Sequence, residues 1–196
     1  MQNPSPEFYA ELKKIWAGQV AAIRPWLKKF FACGSAVAEE AKKWTAPEFD
    51  DSAWEKTGLP FIIPFVGVAV VRGTFEIPAE LAGKDITLHL GAMNDCDETW
   101  FNGEKIGETT IDQPNYWSSP RNYTVPGRLV KAGRNTLAVR IANHFSQGGW
   151  TTTEVSFTIR DTKVPRVIHA DWRQKTEFVA DPREIGFRPE INGGAS

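Results

Sequence analysis

The chain has 196 residues, of which 23 are basic and 24 acidic, so its formal net charge is −1. This length suits one sizeable domain with at most a small appendage. The balanced charge excludes the positive field through which proteins attract nucleic acid or anionic membranes, and no apolar run approaches the roughly 18 residues of a membrane-spanning helix. Eight Trp and twelve Phe against three Tyr indicate a Trp-rich core, a Trp-lined surface, or both.

The first 45 residues have a helical pattern. Ser5-Pro6-Glu7 is typical of a helix start, with a hydroxyl cap, a proline at the first position and an acid near the positive end of the dipole. Apolar residues then recur at steps of three and four up to Phe30. We expect Pro25 to kink or divide this helix, Gly34 to end it, and a short second helix to end near Trp44. The apolar stripe either packs on the domain that follows or forms a partner or membrane surface.

Residues 46–160 change to a β pattern. Short runs alternate between apolar and polar residues with period two and are separated by Gly and Pro. Asn102-Gly103 lies between two of them and is typical of a type I′ turn, so it predicts a hairpin over residues 98–108. About seven short strands favour an antiparallel β-sandwich or barrel over a parallel sheet. The predicted strands are Gly67–Ile77, Ile86–Ala92, Glu98–Phe101, Lys105–Glu108, Arg121–Val125, Thr136–Ala142 and Thr153–Ile159.

The last segment, residues 161–196, contains Pro165, Pro182 and Pro189 and has only weak periodicity. We expect it to form an extended C-terminal arm. Cys33 and Cys96 form no Cys-x-x-Cys pair and the three histidines have no zinc spacing. Two isolated thiols are therefore a simpler interpretation than a disulfide. The polar N-terminus is not a secretory signal, which leaves a cytoplasmic protein or a piece of a longer exported chain.

Several phrases between Trp44 and Trp150 carry a family resemblance. They are PEFDDSAWEKTGLP (47–60), VVRGTFEIPAELAGKDITLHLGAMNDCDETWFNGEKIGET (70–109), SSPRNYTVPGRLVKAGRNTLAVRIAN (118–143) and Gly148-Gly149. In this order they closely resemble the galactose-binding-like jelly-roll domain of sialate O-acetylesterase-like proteins and, more distantly, the sugar-binding domain of glycoside hydrolase family 2. The resemblance covers a little over half the chain. It implies an antiparallel β-sandwich of the jelly-roll type. Together with the N-terminal helices and the C-terminal arm expected above, this gives a mostly β chain.

The catalytic motifs of such enzymes are missing from this sequence. Gly34-Ser35 lies in the helical region rather than at a strand end, and neither Asp161 nor Asp171 is followed three residues later by His, as the acetylesterase resemblance would require. Asp95 and Asp97 lie two residues apart on one loop, a poor arrangement for the two separated carboxylates of a glycosidase. We therefore expect no catalytic residues in this chain.

Sugar binding would need flat aromatic rings on loops with polar side chains beside them. Arg121 is also expected to pair with Asp95 or Asp97, and an ion pair that fixes loops at the rim is favoured over direct contact with a ligand. Trp117 either stacks on a sugar or covers the end of the core. The candidate ligand-binding residues are Asp95, Asp97, Tyr116, Trp117, Arg121, Asn143, His144 and Trp150.

Two functions follow from this interpretation. The chain is either a carbohydrate-binding module or a structural module that braces a catalytic domain or mediates homo-oligomerisation. The expected partners are a carbohydrate or an associated catalytic domain, with no nucleic acid and no membrane. No cofactor is expected. The jelly-roll resemblance makes a structural calcium ion possible at Asp50 and Asp51 or at Asp95 and Asp97. Neither pair supplies enough oxygen ligands by itself, so we expect no tightly bound metal.

Overall fold

The computed structural model describes residues 5–30, 43–144, 147–160 and 162–180. The chain divides into two compact units, one of residues 35–179 and one of residues 1–34 with 180–196. Helix and strand bounds in the described parts are α1 Pro6–Phe30, β1 Glu55–Lys56, β2 Phe61–Ile63, β3 Gly67–Ile77, β4 Ile86–Asn94, β5 Cys96–Phe101, β6 Glu104–Thr109, β7 Pro120–Val125, β8 Gly133–Asn143, β9 Gly148–Trp150, β10 Ser156–Ile159, β11 Arg166–Val167 and β12 Asp171–Val179.

The N-terminal helix α1 begins where the sequence predicts. The hydroxyl of Ser5 accepts the backbone N–H of Phe8 at 3.3 Å, and the Ser5 carbonyl accepts that of Tyr9 at 3.2 Å, so Ser5 satisfies donors that the first turn leaves unpaired. Pro25 lies inside the helix and does not divide it. The predicted stop at Gly34 lies outside the described residues, while residues 43–45 are helical, next to the predicted end at Trp44. None of the described helices is long and apolar enough to cross a membrane.

The strands form two antiparallel sheets. The first sheet has the order β1-β12-β3-β8-β5-β6, and the second has the order β11-β10-β4-β9-β2, with β7 also paired to β4. Every predicted strand overlaps an observed one, and the β3 bounds coincide. The mostly β, antiparallel β-sandwich architecture expected from the sequence is thus confirmed.

The core lies between the two sheets and is built by the period-two alternation of their strands. In β8, Leu137, Val139 and Ile141 are buried in the same core cluster as Leu88 and Leu90 of β4. Trp150 is fully buried, and its ring meets that of Trp172 edge-on, with centroids 5.3 Å apart. These aromatic rings close the core between β9 and β12.

The predicted hairpin is present between β5 and β6. Asn102 and Gly103 have φ values of 47° and 86°, the left-handed backbone that a type I′ turn requires. The Asn102 amide also donates to the Leu129 carbonyl at 2.8 Å and to Oδ1 of Asn135 at 2.7 Å. The turn is therefore tied both to the segment before β8 and to the first residues of β8.

The C-terminal segment contributes a strand to the first sheet. Residues 161–196 were expected to form an extended arm, and the described part is extended. However, β12 pairs along its length with β3 and also with β1. Its sequence, DWRQKTEFV, has few apolar residues, because most of its side chains are not buried in the core. Backbone pairing, which leaves no mark in the side-chain pattern, places it between two other strands.

The outer face of the first sheet is partly covered by the segment before β1. Arg72 of β3 is fully buried there. Its guanidinium bonds Oδ2 of Asp51 at 2.8 Å, donates to the Ala46 carbonyl at 3.3 Å and also contacts the carbonyl of Trp44. One side chain thus neutralises a carboxylate and satisfies two carbonyl groups, which is what makes burial of its charge tolerable. Residues 44–51 are held on the sheet by this contact.

Gly73 provides a test of how the core is packed. A Cβ atom at Gly73 would lie 2.3 Å from the Trp172 ring, whereas one at Gly58 would meet nothing within 4 Å. Overpacking a core costs about 1–3 kcal/mol. We expect Gly73→Ala to lower the thermal unfolding midpoint by several degrees and Gly58→Ala to change it little, as measured by circular dichroism. An unchanged midpoint for Gly73→Ala would contradict this packing.

Candidate functional site

Most of the predicted site residues meet at one end of the sandwich, where β4 passes into β5. We call Asp95, Asp97, Tyr116, Arg121 and His144 the strand-end cluster. The backbone N–H of Asp95 donates to the Ala142 carbonyl at 3.1 Å, so the link between β4 and β5 is fixed to the end of β8. The cluster therefore combines residues from both sheets and from the loop before β7.

Asp97 and Arg121 form an ion pair between the two sheets. Nε of Arg121, on β7, donates to Oδ1 of Asp97, on β5, at 2.8 Å, and both side chains have no exposed surface. The remaining guanidinium nitrogens donate to the carbonyls of Ser119 at 2.5 Å and Asp95 at 2.7 Å. The predicted pairing of Arg121 with a nearby carboxylate is observed, through one Nε bond rather than a bidentate pair.

Two further side chains complete the environment of the Asp97 carboxylate. Thr99 donates to Oδ2 at 2.9 Å, and the Tyr123 hydroxyl lies 3.0 Å from the same oxygen. Burial, and then the negative charge of Asp97, raise the pKa of Tyr123. The Tyr123 ring packs on Gly107, where a Cβ atom would lie 2.2 Å from the ring. Tyr123 was not among the candidate residues, although period two along β7 places it on the same face as Arg121.

His144 links Asp95 to Tyr116. Its backbone N–H donates to Oδ2 of Asp95 at 3.0 Å, and its Nε2 lies 3.0 Å from the Tyr116 hydroxyl. Nδ1 is also 3.0 Å from the Asp95 oxygen, but without hydrogen-bond geometry. A proton on Nδ1 suits the nearby carboxylate and leaves Nε2 to accept from Tyr116. Burial lowers the pKa of His144 from 6.5 to about 4, so the imidazole is neutral at pH 7.

Asn143 and Trp150 belong to the interior of the domain. The Asn143 amide donates to the Phe65 carbonyl at 2.6 Å, and the Trp150 indole N–H donates to the Leu90 carbonyl at 2.6 Å. Both side chains are fully buried. Their polar atoms satisfy backbone groups, which is the usual state of buried polar side chains.

Trp117 is the one candidate residue that the structure leaves partly exposed, at 37%. Its ring meets that of Tyr116 edge-on at 5.1 Å between centroids, while Tyr116 itself is buried. The other seven candidates are buried and offer almost no side-chain surface to a sugar. Sugar contact through the eight residues stays a prediction, and among them Trp117 alone has the required exposure.

The described residues contain no group of three or more His, Cys, Asp or Glu that could hold a metal ion. Oδ2 of Asp51 bonds Arg72, and the Asp97 carboxylate bonds Arg121, so part of the charge of both candidate calcium pairs is already neutralised. Burial raises the pKa of the Cys96 thiol, which disfavours the reactive thiolate. Cys33 lies outside the described residues. That the chain holds no tightly bound metal stays a prediction of the sequence.

Neither a protein-family model nor a curated protein matches the chain. Among solved structures, the chain is similar to β-glucuronidase 2 of Bacteroides uniformis, covalently bound to cyclophellitol-6-carboxylate aziridine. The match covers 59% of this chain and 15% of the glucuronidase chain, with a TM-score of 0.51 and 22% identity. A β-glucuronidase of Ruminococcus gnavus matches 41% of this chain and 13% of its own, with a TM-score of 0.35 and 23% identity. The Bacteroides match shows a sandwich fold shared with part of a much longer enzyme.

The buried ion pair gives a stability prediction. Asp97→Ala would leave the Arg121 guanidinium buried without its counter-charge, which costs about 3–5 kcal/mol. We expect a large drop in the urea midpoint of unfolding. Glu104→Ala is the matched control, because its partner Arg128 is 63% exposed and such pairs contribute little. Equal effects of the two substitutions would show that the Asp97 pair is not protected from water.

His144 gives a pH prediction. Its pKa in the folded chain, about 4, is below the ordinary value of 6.5, so the unfolded chain binds a proton more readily. The stability contributed by neutral His144 is full above pH 6.5 and is lost as the pH falls towards 4. Between pH 6.5 and 5 the loss is on the order of 2 kcal/mol.

The measurement is the thermal unfolding midpoint of the wild type and of His144→Gln over this range. The wild-type midpoint should fall faster on acidification than that of the variant, which cannot bind the proton. Parallel pH profiles would show that His144 is not held neutral by the fold.

Proposed function

We propose that this chain is a non-catalytic ancillary domain of a carbohydrate-active enzyme, a glycosidase or an esterase. The observation that carries the proposal is the fold shared with part of the Bacteroides uniformis β-glucuronidase 2. Fold by itself does not determine function. The chemistry of the strand-end cluster is the second support, because its functional groups are used within the domain.

Nucleophilic hydrolysis needs a hydroxyl or thiol beside a base. His144 faces Tyr116 and Asp95, and burial, followed by the charge of Asp95, raises the pKa of the Tyr116 hydroxyl. His89 lies between Asn122, at 2.7 Å, and Thr158, at 3.0 Å, where an amide oxygen takes the place of an orienting carboxylate. Neither arrangement suits an activated nucleophile.

A glycosidase needs two carboxyl groups that face one bond of the substrate. Asp97 is fully buried and paired with Arg121, and Asp95 accepts a backbone N–H of His144. Both carboxylates are thus occupied by partners within the domain. Their arrangement supports a structural role at this end of the sandwich.

A more specific proposal concerns the enzyme to which this domain would belong, its parent enzyme. The phrases over residues 47–143 resemble the jelly roll of sialate O-acetylesterase-like proteins, whereas the shared fold supports a parent similar to glycoside hydrolase family 2. Either parent would use this chain next to a separate catalytic domain. In both cases the parent enzyme would act on a carbohydrate.

A structural module that braces a catalytic domain or mediates oligomerisation, without binding sugar, is the alternative. The burial of seven of the eight candidate residues favours it over sugar binding at the strand-end cluster. Size-exclusion chromatography with light scattering tests the oligomerisation part: a monomer at all concentrations would argue against self-association.

A hydrolysis assay tests the absence of catalysis. We expect no turnover of 4-nitrophenyl acetate or 4-nitrophenyl β-glucuronide above that of buffer, because His144 is buried against Tyr116 and His89 is oriented by an amide rather than a carboxylate. Steady turnover that His144→Gln or His89→Gln abolishes, while the variant keeps its circular dichroism spectrum, would contradict the proposal.

A further inference from the structure

A second candidate site lies on the outer face of the first sheet, at the other end of β8 from the strand-end cluster. The loop of residues 48–52 stands over the strands there and leaves a groove of about 400 Å³. This volume lies in the range of small-molecule sites, roughly 300–1,000 Å³. We call it the outer groove, and the side chains used below are Glu48, Phe49, Thr74, Arg134, Asp171 and Arg173.

The outer groove contains polar groups that the domain does not use. Within the described parts of the chain, the side chains of Glu48, Thr74 and Arg134 make no hydrogen bond or ion pair. Arg134 and Glu48 are exposed, and Thr74 is partly buried. The strand-end cluster is the opposite case, since its carboxylates and guanidinium are all paired internally. Unused donors and acceptors in a concave surface are what a polar ligand requires.

The buried hydroxyl of Thr136 also points to an unsatisfied polar group on this face of the sheet. Thr136 is the cross-strand partner of Thr74 in the β3–β8 pairing, so the two side chains lie on the same face of the sheet. Thr136 is only 1% exposed, and its hydroxyl has no hydrogen-bond partner among the described residues. A buried hydroxyl without a partner costs free energy. The outer face of the first sheet therefore carries a buried hydroxyl without a hydrogen-bond partner, next to Thr74 of the groove.

The walls of the outer groove are held in place. The Phe49 ring lies 5.4 Å from the Arg72 guanidinium and meets the Trp54 ring edge-on at 5.6 Å. Asp51 is fixed by Arg72 at 2.8 Å and lies 3.6 Å from Arg173. A ligand would not have to order this loop before binding, which lowers the entropic cost of association.

The charges of the outer groove determine the class of ligand. Arg134 supplies donors and Glu48 supplies acceptors that the described residues do not use, with the Phe49 ring as an apolar wall. Arg173 already donates to the Ser52 and Trp54 carbonyls and lies 3.6 Å from Asp171. Asp50 and Asp51 add two carboxylates, of which Asp51 is paired with Arg72. A polyhydroxylated ring uses donors and acceptors together and presents an apolar face to an aromatic side chain. The carboxylates of the lining outnumber the two arginines, which disfavours an anionic ligand, and a cation would lie beside Arg134.

We propose that the outer groove binds a neutral saccharide, with Arg134, Thr74 and Glu48 contacting its hydroxyl groups. The choice of a saccharide among polyhydroxylated ligands rests on the proposed function, whereas the location of the site rests on the geometry of the groove. The site is separate from the eight candidate residues predicted from the sequence.

The experiment titrates the full chain with a panel of neutral oligosaccharides of glucose, galactose, mannose and xylose, and with glucuronate and sialate. Binding is measured by saturation-transfer NMR and isothermal titration calorimetry. Arg134→Ala and Thr74→Val should each weaken the neutral ligand at least fivefold, with unchanged circular dichroism spectra. Thr74→Val is nearly isosteric and removes only the hydroxyl.

Two control variants locate the site. Arg160 is 73% exposed and pairs with Asp85 away from the outer groove, so Arg160→Ala should leave the affinity unchanged. Trp117→Ala should also leave it unchanged, because Trp117 lies in the loop before β7. Loss of binding in Trp117→Ala with normal binding in Arg134→Ala would overturn the proposal and place sugar binding at the loop instead.

The remaining outcomes separate this proposal from the proposed function. If no neutral saccharide binds at millimolar concentration, or if the anionic sugars bind more tightly, the outer-groove proposal is wrong, while an ancillary domain without catalysis still stands. If a saccharide is hydrolysed and Arg134→Ala weakens its binding, the proposed non-catalytic function fails, while the location of the site in the outer groove is supported.

Discussion

The ion pair between Asp97 and Arg121 connects the two sheets and governs the chemistry around it. Asp97 belongs to the first sheet and Arg121 to the second, and neither side chain is exposed. An unpaired charge inside a protein is costly. The two side chains must therefore pair, and their remaining polar atoms must form hydrogen bonds. The carbonyls of Ser119 and Asp95, and the hydroxyls of Thr99 and Tyr123, meet that need. Asp97 and Arg121, which the sequence suggests as ligand-binding residues, therefore hold the two sheets in their relative position.

The parts of the fold that could be predicted are those whose signal is local. Alternating runs identified β3 and β8, and Asn102-Gly103 identified a hairpin, because side-chain period and backbone φ are properties of a few neighbouring residues. β9 could not be predicted, since Gly148 and Gly149 indicate a turn and become a strand only by pairing with β2 and β4. β12 was predicted only as an extended arm for the same reason. Its partners β1 and β3 lie about a hundred residues or more earlier in the chain.

The candidate site was harder to predict than the fold, because exposure depends on distant partners. Tyr116 and Trp117 are adjacent in one loop, yet Tyr116 is buried and Trp117 is partly exposed. The partner that draws Tyr116 inward is His144, 28 residues away. The pairing of Arg121 with a neighbouring carboxylate was foreseen, since charge complementarity can be recognised without coordinates. The outer groove was not foreseen, because Glu48, Thr74, Arg134 and Asp171 come from four separate segments.

Arg72 links the covering of the first sheet to the formation of the outer groove. Its guanidinium holds residues 44–51 on the sheet, and the same contacts position Phe49 and Asp51 as walls. The groove can therefore exist only while this segment is docked. A ligand that binds the groove must favour the docked state by the same free energy with which docking favours the ligand, because the two equilibria are linked. In the strand-end cluster, by contrast, the carboxylate and guanidinium of the buried pair are already satisfied by partners within the domain. One end of the first sheet thus holds the sandwich together, and the other end retains side chains that can interact with another molecule.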